Sequence, residues 1–207
     1  MRNNRIKEMT YYAMFIALIA VLSFTPLGMI PLSPTVSVTD IHIVVILAAL
    51  LMGLKGGIVT GLAFGVLSWL RAITAPVGVV DPVFTNVLVS IFPRLVFGII
   101  AGILAEISRR QFLGKTRLYE TGSIVVTAAI GTLFHTSVTV IMMYLIGRTM
   151  PIYEEFFANN TFSAFFLGIL GFNGMLELAA AVIIAPILFY ALRRMFRDFM
   201  PKSVEKQ

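Results

Sequence analysis

The chain has 207 residues, of which 58% are hydrophobic and 13% charged, with a mean hydropathy of +0.94 and a formal net charge of +6. Soluble domains carry roughly 25% charged residues, so this composition reads as an integral membrane protein without room for a separate soluble catalytic domain. The absence of cysteine excludes disulfides, thiolate metal sites and cysteine nucleophiles.

Met1 to Met9 is short and basic, with Arg2, Arg5 and Lys7. The first apolar segment, residues 10–27, follows. A signal peptide would need a small-residue cleavage site after it, and none follows. Ala13 and Ala17 stand four apart, with Ala20 three further on. They form a small-residue stripe where another helix backbone can approach. Residues 26–39 form a charge-free loop with Pro26, Pro31 and Pro34, expected to pack as a lid rather than trail in water.

The second span, residues 40–53, is shorter than the ~20 residues a straight spanning helix needs. It is expected to lie buried among other helices. A turn through Met52–Gly57 leads to the third span, residues 56–71, in which Gly57, Gly61 and Gly65 recur at four-residue spacing. That row suits helix packing within the chain. A second Pro/Gly loop with Pro76, Gly78, Asp81 and Pro82 precedes the fourth span, residues 83–107. A basic connector, Ser108–Tyr119, leads to the fifth span, residues 123–146. A loop with Pro151, Tyr153, Glu154 and Glu155 then leads to the sixth, residues 162–192, and a basic tail.

With both termini inside, thirteen of the sixteen Lys/Arg residues fall on the cytoplasmic side. The positive-inside rule therefore predicts an all-α bundle of six transmembrane helices, N-in and C-in, in a cell membrane. Three outer loops would cover a ligand. The same distribution assigns the positive charge to topology and to contact with the bilayer, not to nucleic acid.

Charged groups inside a membrane carry a high cost and call for a reason. Arg94 lies about ten residues into the fourth helix, ~15 Å below its outer end. Its guanidinium suits a carboxylate or phosphate; alternatively it pairs with Glu177 or Asp81. Pro93 removes a backbone donor and is expected to free a carbonyl one turn earlier, beside the arginine. Asp40 reads as a side-chain N-cap of the second span. His42 is either a ligand contact or a satisfied interior histidine. Trp69 and Arg71 fit an interface anchor and a snorkelling cation as well as a ligand contact. His135, Thr136 and Thr139 share one face of the fifth helix and suit interhelical hydrogen bonds or a ligand. Asn86 stands two turns above Arg94, and Asn173 lies one turn before Glu177 on the sixth helix. Together they point to one outward-facing cavity with a strong cation and several neutral partners. Such a cavity suits a small, polar, anionic solute rather than a channel.

Gly114-Lys115-Thr116 looks like the end of a P-loop, but Arg109 stands where its first glycine should be. Candidates for ATP hydrolysis, a bound cofactor or a metal centre are thus lacking. Energy must come from an ion gradient or from partner subunits.

Six spans, Ala13-x-x-x-Ala17, Asp40-Ile-His-Ile-Val-Val-Ile, Gly53-Leu-Lys-Gly-Gly57 and Phe92-Pro-Arg-Leu-Val-Phe-Gly98 resemble the substrate-binding S components of energy-coupling factor (ECF) vitamin transporters. Thr25-Pro-Leu-Gly28 and Pro93-Arg94 are most similar to the pantothenate type. Val44 and Ala48 depart from its usual proline and glycine. The resemblance implies a single transmembrane domain over residues 1–207, in a prokaryotic plasma membrane, that binds a vitamin from outside. It further implies docking, through Ala13, Ala17 and Ala20, on a transmembrane coupling subunit driven by two ATPase subunits. Under that reading the chain itself is no enzyme. Arg94 would hold the carboxylate of pantothenate, with His42, Asn86, His135, Thr139 and Asn173 as further partners and Glu177, Trp69 and Asp40 around them. The alternatives are an S component for hydroxymethylpyrimidine, cobalamin or folate, or a solitary ion-coupled carrier.

Overall fold

The computed structural model describes residues 2–33, 36–76, 81–154 and 161–200. Pro34, Gly78, Glu155, Lys202 and Lys206 lie outside them.

Helix α1 (Arg2–Ser23) runs from the basic N-terminus to the first loop. That loop, expected to pack as a lid, has regular structure. It folds into an antiparallel hairpin of β1 (Met29–Ser33) and β2 (Val36–Thr39), with Met29 opposite Thr39 and a register shift between Pro31 and Ser33. Its uncharged, β-branched second strand suits a ladder. The Asp40 amide donates to Gly28 O at 3.2 Å and closes its base.

Helix α2 (Ile41–Met52) is buried along its whole length. Its apolar residues show no polar face, as a helix enclosed on all sides requires. It ends at Gly53, whose φ of 78° needs a residue without Cβ. Helix α3 (Leu54–Thr74) starts on the next residue, so the turn expected over six residues takes one. A 3-10 turn (Asp81–Thr85) precedes α4 (Val87–Gln111). Helix α5 (Arg117–Gly147) begins six residues before the apolar span expected from the sequence. The final helical run, α6 (Phe162–Ile169) and α7 (Met175–Leu192), is interrupted by a π-helical turn at Leu170–Gly174. Among the described residues, five helices are long and apolar enough to cross a membrane, and α2 is a shorter apolar helix.

The row of small residues on α3 is an internal seam against α4. A Cβ on Gly61 would lie 2.7 Å from Arg94 O, and one on Gly98 would lie 3.0 Å from Gly61 Cα and closer still to Gly57 O. The backbones of α3 and α4 therefore touch, and this holds the Arg94 turn against α3.

Side chains tie the basic ends together. Arg109 Nη1 donates to Leu50 O at 3.0 Å, and its Nη2 donates to Phe199 O. Arg193 pairs with the buried Glu120 at 3.2 Å, and Lys7 pairs with Asp198 at 2.6 Å. The main apolar core surrounds α2, with Phe15, Phe97, Phe189 and Phe196 among its largest members. A smaller cluster of Val83, Val89, Val140, Met143, Tyr153 and Phe165 lies at the loop end. The bundle thus has a stapled basic end and a loop-covered end, and the buried polar residues concentrate toward the latter.

Candidate functional site

Arg94 is only 7% exposed. Pro93 has no N–H, so the Val89 carbonyl one turn earlier loses its helical donor. Arg94 Nη1 donates to that same carbonyl at 2.8 Å. The proline and the arginine work together: one frees an acceptor, and the other uses it to aim its guanidinium. The guanidinium carbon lies 4.8 Å from the centre of the Phe84 ring and 5.5 Å from that of Phe64. Both are cation–π distances. Nε has no partner, and no carboxylate forms an ion pair with Arg94 among the described residues.

The two carboxylates considered as its partners make their direct contacts elsewhere, although Glu177 still acts on Arg94 through its charge. Asp81 is 3.9 Å from Arg71. Glu177 accepts from the Thr39 amide at 3.0 Å through Oε1 and from Thr136 Oγ1 at 2.8 Å through Oε2. Glu177 thus anchors the end of the hairpin to α5 and α7. The π-turn immediately before α7 also carries Asn173, which is buried beside it.

Next to Arg94 stands a layer of rings. His135 lies 4.7 Å from Phe97, 5.6 Å from Phe64 and 5.6 Å from His42, the last pair stacked at 17°. His42 Nδ1 is 2.6 Å from Thr39 O. A carbonyl can only accept, so Nδ1 carries the hydrogen, and in the neutral ring Nε2 is an acceptor. That Nε2 is buried without a partner, as are His135 Nδ1, Thr132 Oγ1 and Thr139 Oγ1. Buried polar atoms are normally paired. Here several unpaired ones lie on α2, α4 and α5, with His135 against Phe64 and Phe97, and such a set suits a polar ligand.

The remaining sequence candidates sit at the edge. Asp40 occupies the N-cap position of α2 but makes no side-chain cap bond, contrary to expectation, because its backbone there is helical (φ −93°, ψ −7°). Asn86 is the N-cap of α4: its Oδ1 accepts from Leu88 N at 2.9 Å, so that oxygen serves the helix. Trp69 Nε1 donates to Thr85 O at 3.0 Å and pins the 3-10 turn to α3. Ala13 and Ala17 are exposed and Ala20 is half-buried, so the α1 stripe stays open.

Phe64, Phe84, Phe97 and Thr132 were not singled out from the sequence. One signal was there to find: Gly98 and Gly102 repeat on α4 the four-residue spacing of Gly57 and Gly61. Matching the two rows brings Phe64 beside Arg94.

The profile of the family "ECF transporter, substrate-specific component" matches residues 7–189. The chain is an ECF S component. It is a multi-pass cell-membrane transport subunit, and S components bind substrate rather than catalyse. The S component is also 26% identical over 189 residues to the pantothenate transporter PanT of Leuconostoc mesenteroides subsp. mesenteroides, covering 89% of this chain and 91% of that one.

Proposed function

We propose that this S component binds pantothenate from outside the cell and delivers it through a coupling subunit and two ATPase subunits that hydrolyse ATP. Arg94 carries the reading: its guanidinium is buried, aimed by Val89 O and without an ion-pair carboxylate among the described residues. A buried cation without a directly paired carboxylate is unfavourable, and an anionic ligand lowers that penalty. Pantothenate has a carboxylate at one end, then an amide and two hydroxyls beside geminal methyls. The carboxylate faces Arg94. A ligand hydroxyl or amide N–H donates to His42 Nε2, and His135, Thr132 and Thr139 supply the other polar contacts. The methyls pack on Phe64 and Phe97. Similarity to a pantothenate transporter supports the same solute. The stripe of exposed Ala13 and Ala17 with half-buried Ala20 supports a docking face on α1.

Titration calorimetry on purified protein tests this. Pantothenate is expected to bind, and Arg94→Ala to weaken it at least about 30-fold, as loss of one partner of a buried charged pair does (about 2 kcal/mol or more). Binding by Arg94→Ala at wild-type affinity, or preference for a neutral vitamin, overturns the assignment.

A further inference from the structure

The buried ring of His42 stands on the first turn of α2, just after the end of β2. Its Nδ1 donates to Thr39 O at 2.6 Å. Thr39 precedes Asp40, the N-cap residue of α2, so its carbonyl lies outside the helical ladder and is open to a side chain. The same residue is held from the other side. Its amide donates to Glu177 Oε1 at 3.0 Å, and Glu177 Oε2 accepts from Thr136 on α5 at 2.8 Å. Next to it, the Asp40 amide closes the hairpin on Gly28 O at 3.2 Å. Glu177 thus places the carbonyl that His42 meets.

That contact decides the tautomer. Neutral histidine in water favours the hydrogen on Nε2; in a protein, the partner of one ring nitrogen sets which of the two carries it. A doubly protonated ring would be a buried charge, and no carboxylate pairs with this ring among the described residues. The ring is therefore neutral with its hydrogen on Nδ1. Nε2, buried and without a partner, is an acceptor alone.

Arg94 is the opposite pole, because a guanidinium has donors alone. Its Nε is also buried without a partner. Phe64 lies 5.5 Å from the guanidinium carbon and 5.6 Å from the His135 ring, which stacks on His42 at 5.6 Å. Two rings thus link a donor-only pole to an acceptor-only pole. A carboxylate is drawn to the first and refused at the second, where its lone pairs would face the lone pair of Nε2. A hydroxyl at the far end of the same ligand can donate to Nε2. A solute with anions at both ends is repelled at one pole, and a solute without an anion leaves the other unused.

We propose that the hairpin sets the specificity of the site through Glu177, Thr39 and His42: anchored by Glu177, Thr39 O holds His42 as an acceptor, so the site takes an acid with a hydroxyl at its far end and refuses a second anion there. Glu177 and Thr39 are positioning residues that act through His42. The ligand half of this inference rests on the pantothenate reading; the state of the ring does not.

Nitrogen NMR of the full-length protein with isotope-labelled histidine tests it. The chain has two histidines, so the spectrum of His135→Phe assigns the His42 signals. Without ligand, His42 is expected to carry its hydrogen on Nδ1. Adding pantothenate should move the Nε2 signal upfield, as a lone pair does when it accepts a hydrogen bond. Glu177→Ala should shift the ring toward the Nε2–H form, while Glu177→Gln, which keeps an acceptor for the Thr39 amide, should not. A pantothenate analogue with both hydroxyls replaced by hydrogen should bind the wild type about tenfold more weakly, the scale of a buried acceptor left unpaired. That difference should shrink in Glu177→Ala. Hydrogen on Nε2, or on both nitrogens, in the wild type overturns the proposal. So does a tautomer that Glu177→Ala leaves unchanged, or an Nε2 signal that stays in place when calorimetry shows pantothenate bound. If calorimetry shows no pantothenate binding, the vitamin assignment fails, and the tautomer with its response to Glu177→Ala still decides whether the hairpin sets the ring.

Discussion

The Pro93–Arg94 pair shows how one backbone defect can aim a side chain. In a regular helix the Val89 carbonyl would be satisfied by residue 93 and unavailable to a side chain. Because residue 93 is proline, the carbonyl accepts from Arg94 Nη1 instead, and the guanidinium is held where Nε remains unpartnered. Pro93→Ala restores the competing N–H. The expected result is a more stable helix, read as a raised Tm, together with pantothenate affinity lowered about tenfold, the scale of a hydrogen bond to a charged group. Unchanged affinity would mean that the Val89 contact does not position the guanidinium. This pair was legible in the sequence, because a lone arginine in an apolar run and a helix-interior proline are both exceptions to simple patterns. Phe64 and Phe97 were not, since one phenylalanine among seventeen looks like any other core residue until the helices are brought together.

Among elements, the hairpin and the π-turn depart most from the sequence reading. Both arise from tertiary contacts that no local pattern announces. Thr39, the last residue of β2, is held twice: its amide donates to Glu177 and its carbonyl accepts from His42 Nδ1. The strand over the site and the ring layer within it therefore meet at one residue. Glu177, which from sequence suited either a ligand or Arg94, serves the protein backbone with one oxygen and Thr136 with the other. Glu177→Ala leaves two donors without a partner, each worth about 1–3 kcal/mol when buried. It should loosen the hairpin and speed pantothenate dissociation about tenfold or more in stopped-flow experiments. Glu177→Gln keeps an acceptor for Thr39, and the Thr136 hydroxyl can turn to accept from the new amide, so its dissociation rate should stay near wild type. If Glu177 instead held the ligand through its charge, both variants would release it equally fast.

At the scale of the whole molecule, the two faces of small residues have opposite fates. The glycines of α3 meet those of α4 inside the chain, where any added Cβ would strike backbone. The alanines of α1 meet nothing comparable: Ala13 and Ala17 are exposed, while the same helix buries Phe15 and Ile19 against the core. Both stripes have the same spacing, so spacing alone cannot tell an internal seam from a face left for a partner; the distinction depends on which side of each helix carries the large core residues. In the membrane, burying more apolar area gives little reason to leave a face smooth, since lipid tails are as apolar as leucine, but close backbone approach does. An open smooth face on an S component thus fits a partner helix. Ala13→Leu with Ala17→Leu should fold normally and bind pantothenate with unchanged affinity, because neither side chain points into the bundle and the proposed ligand cluster lies on α2, α4 and α5. Uptake in cells supplied with the coupling subunit and both ATPases should fall to background. If uptake persists, docking uses another surface. If binding is lost as well, α1 supports the ligand site and the two ends of the bundle are coupled more tightly than the contacts of α1 suggest.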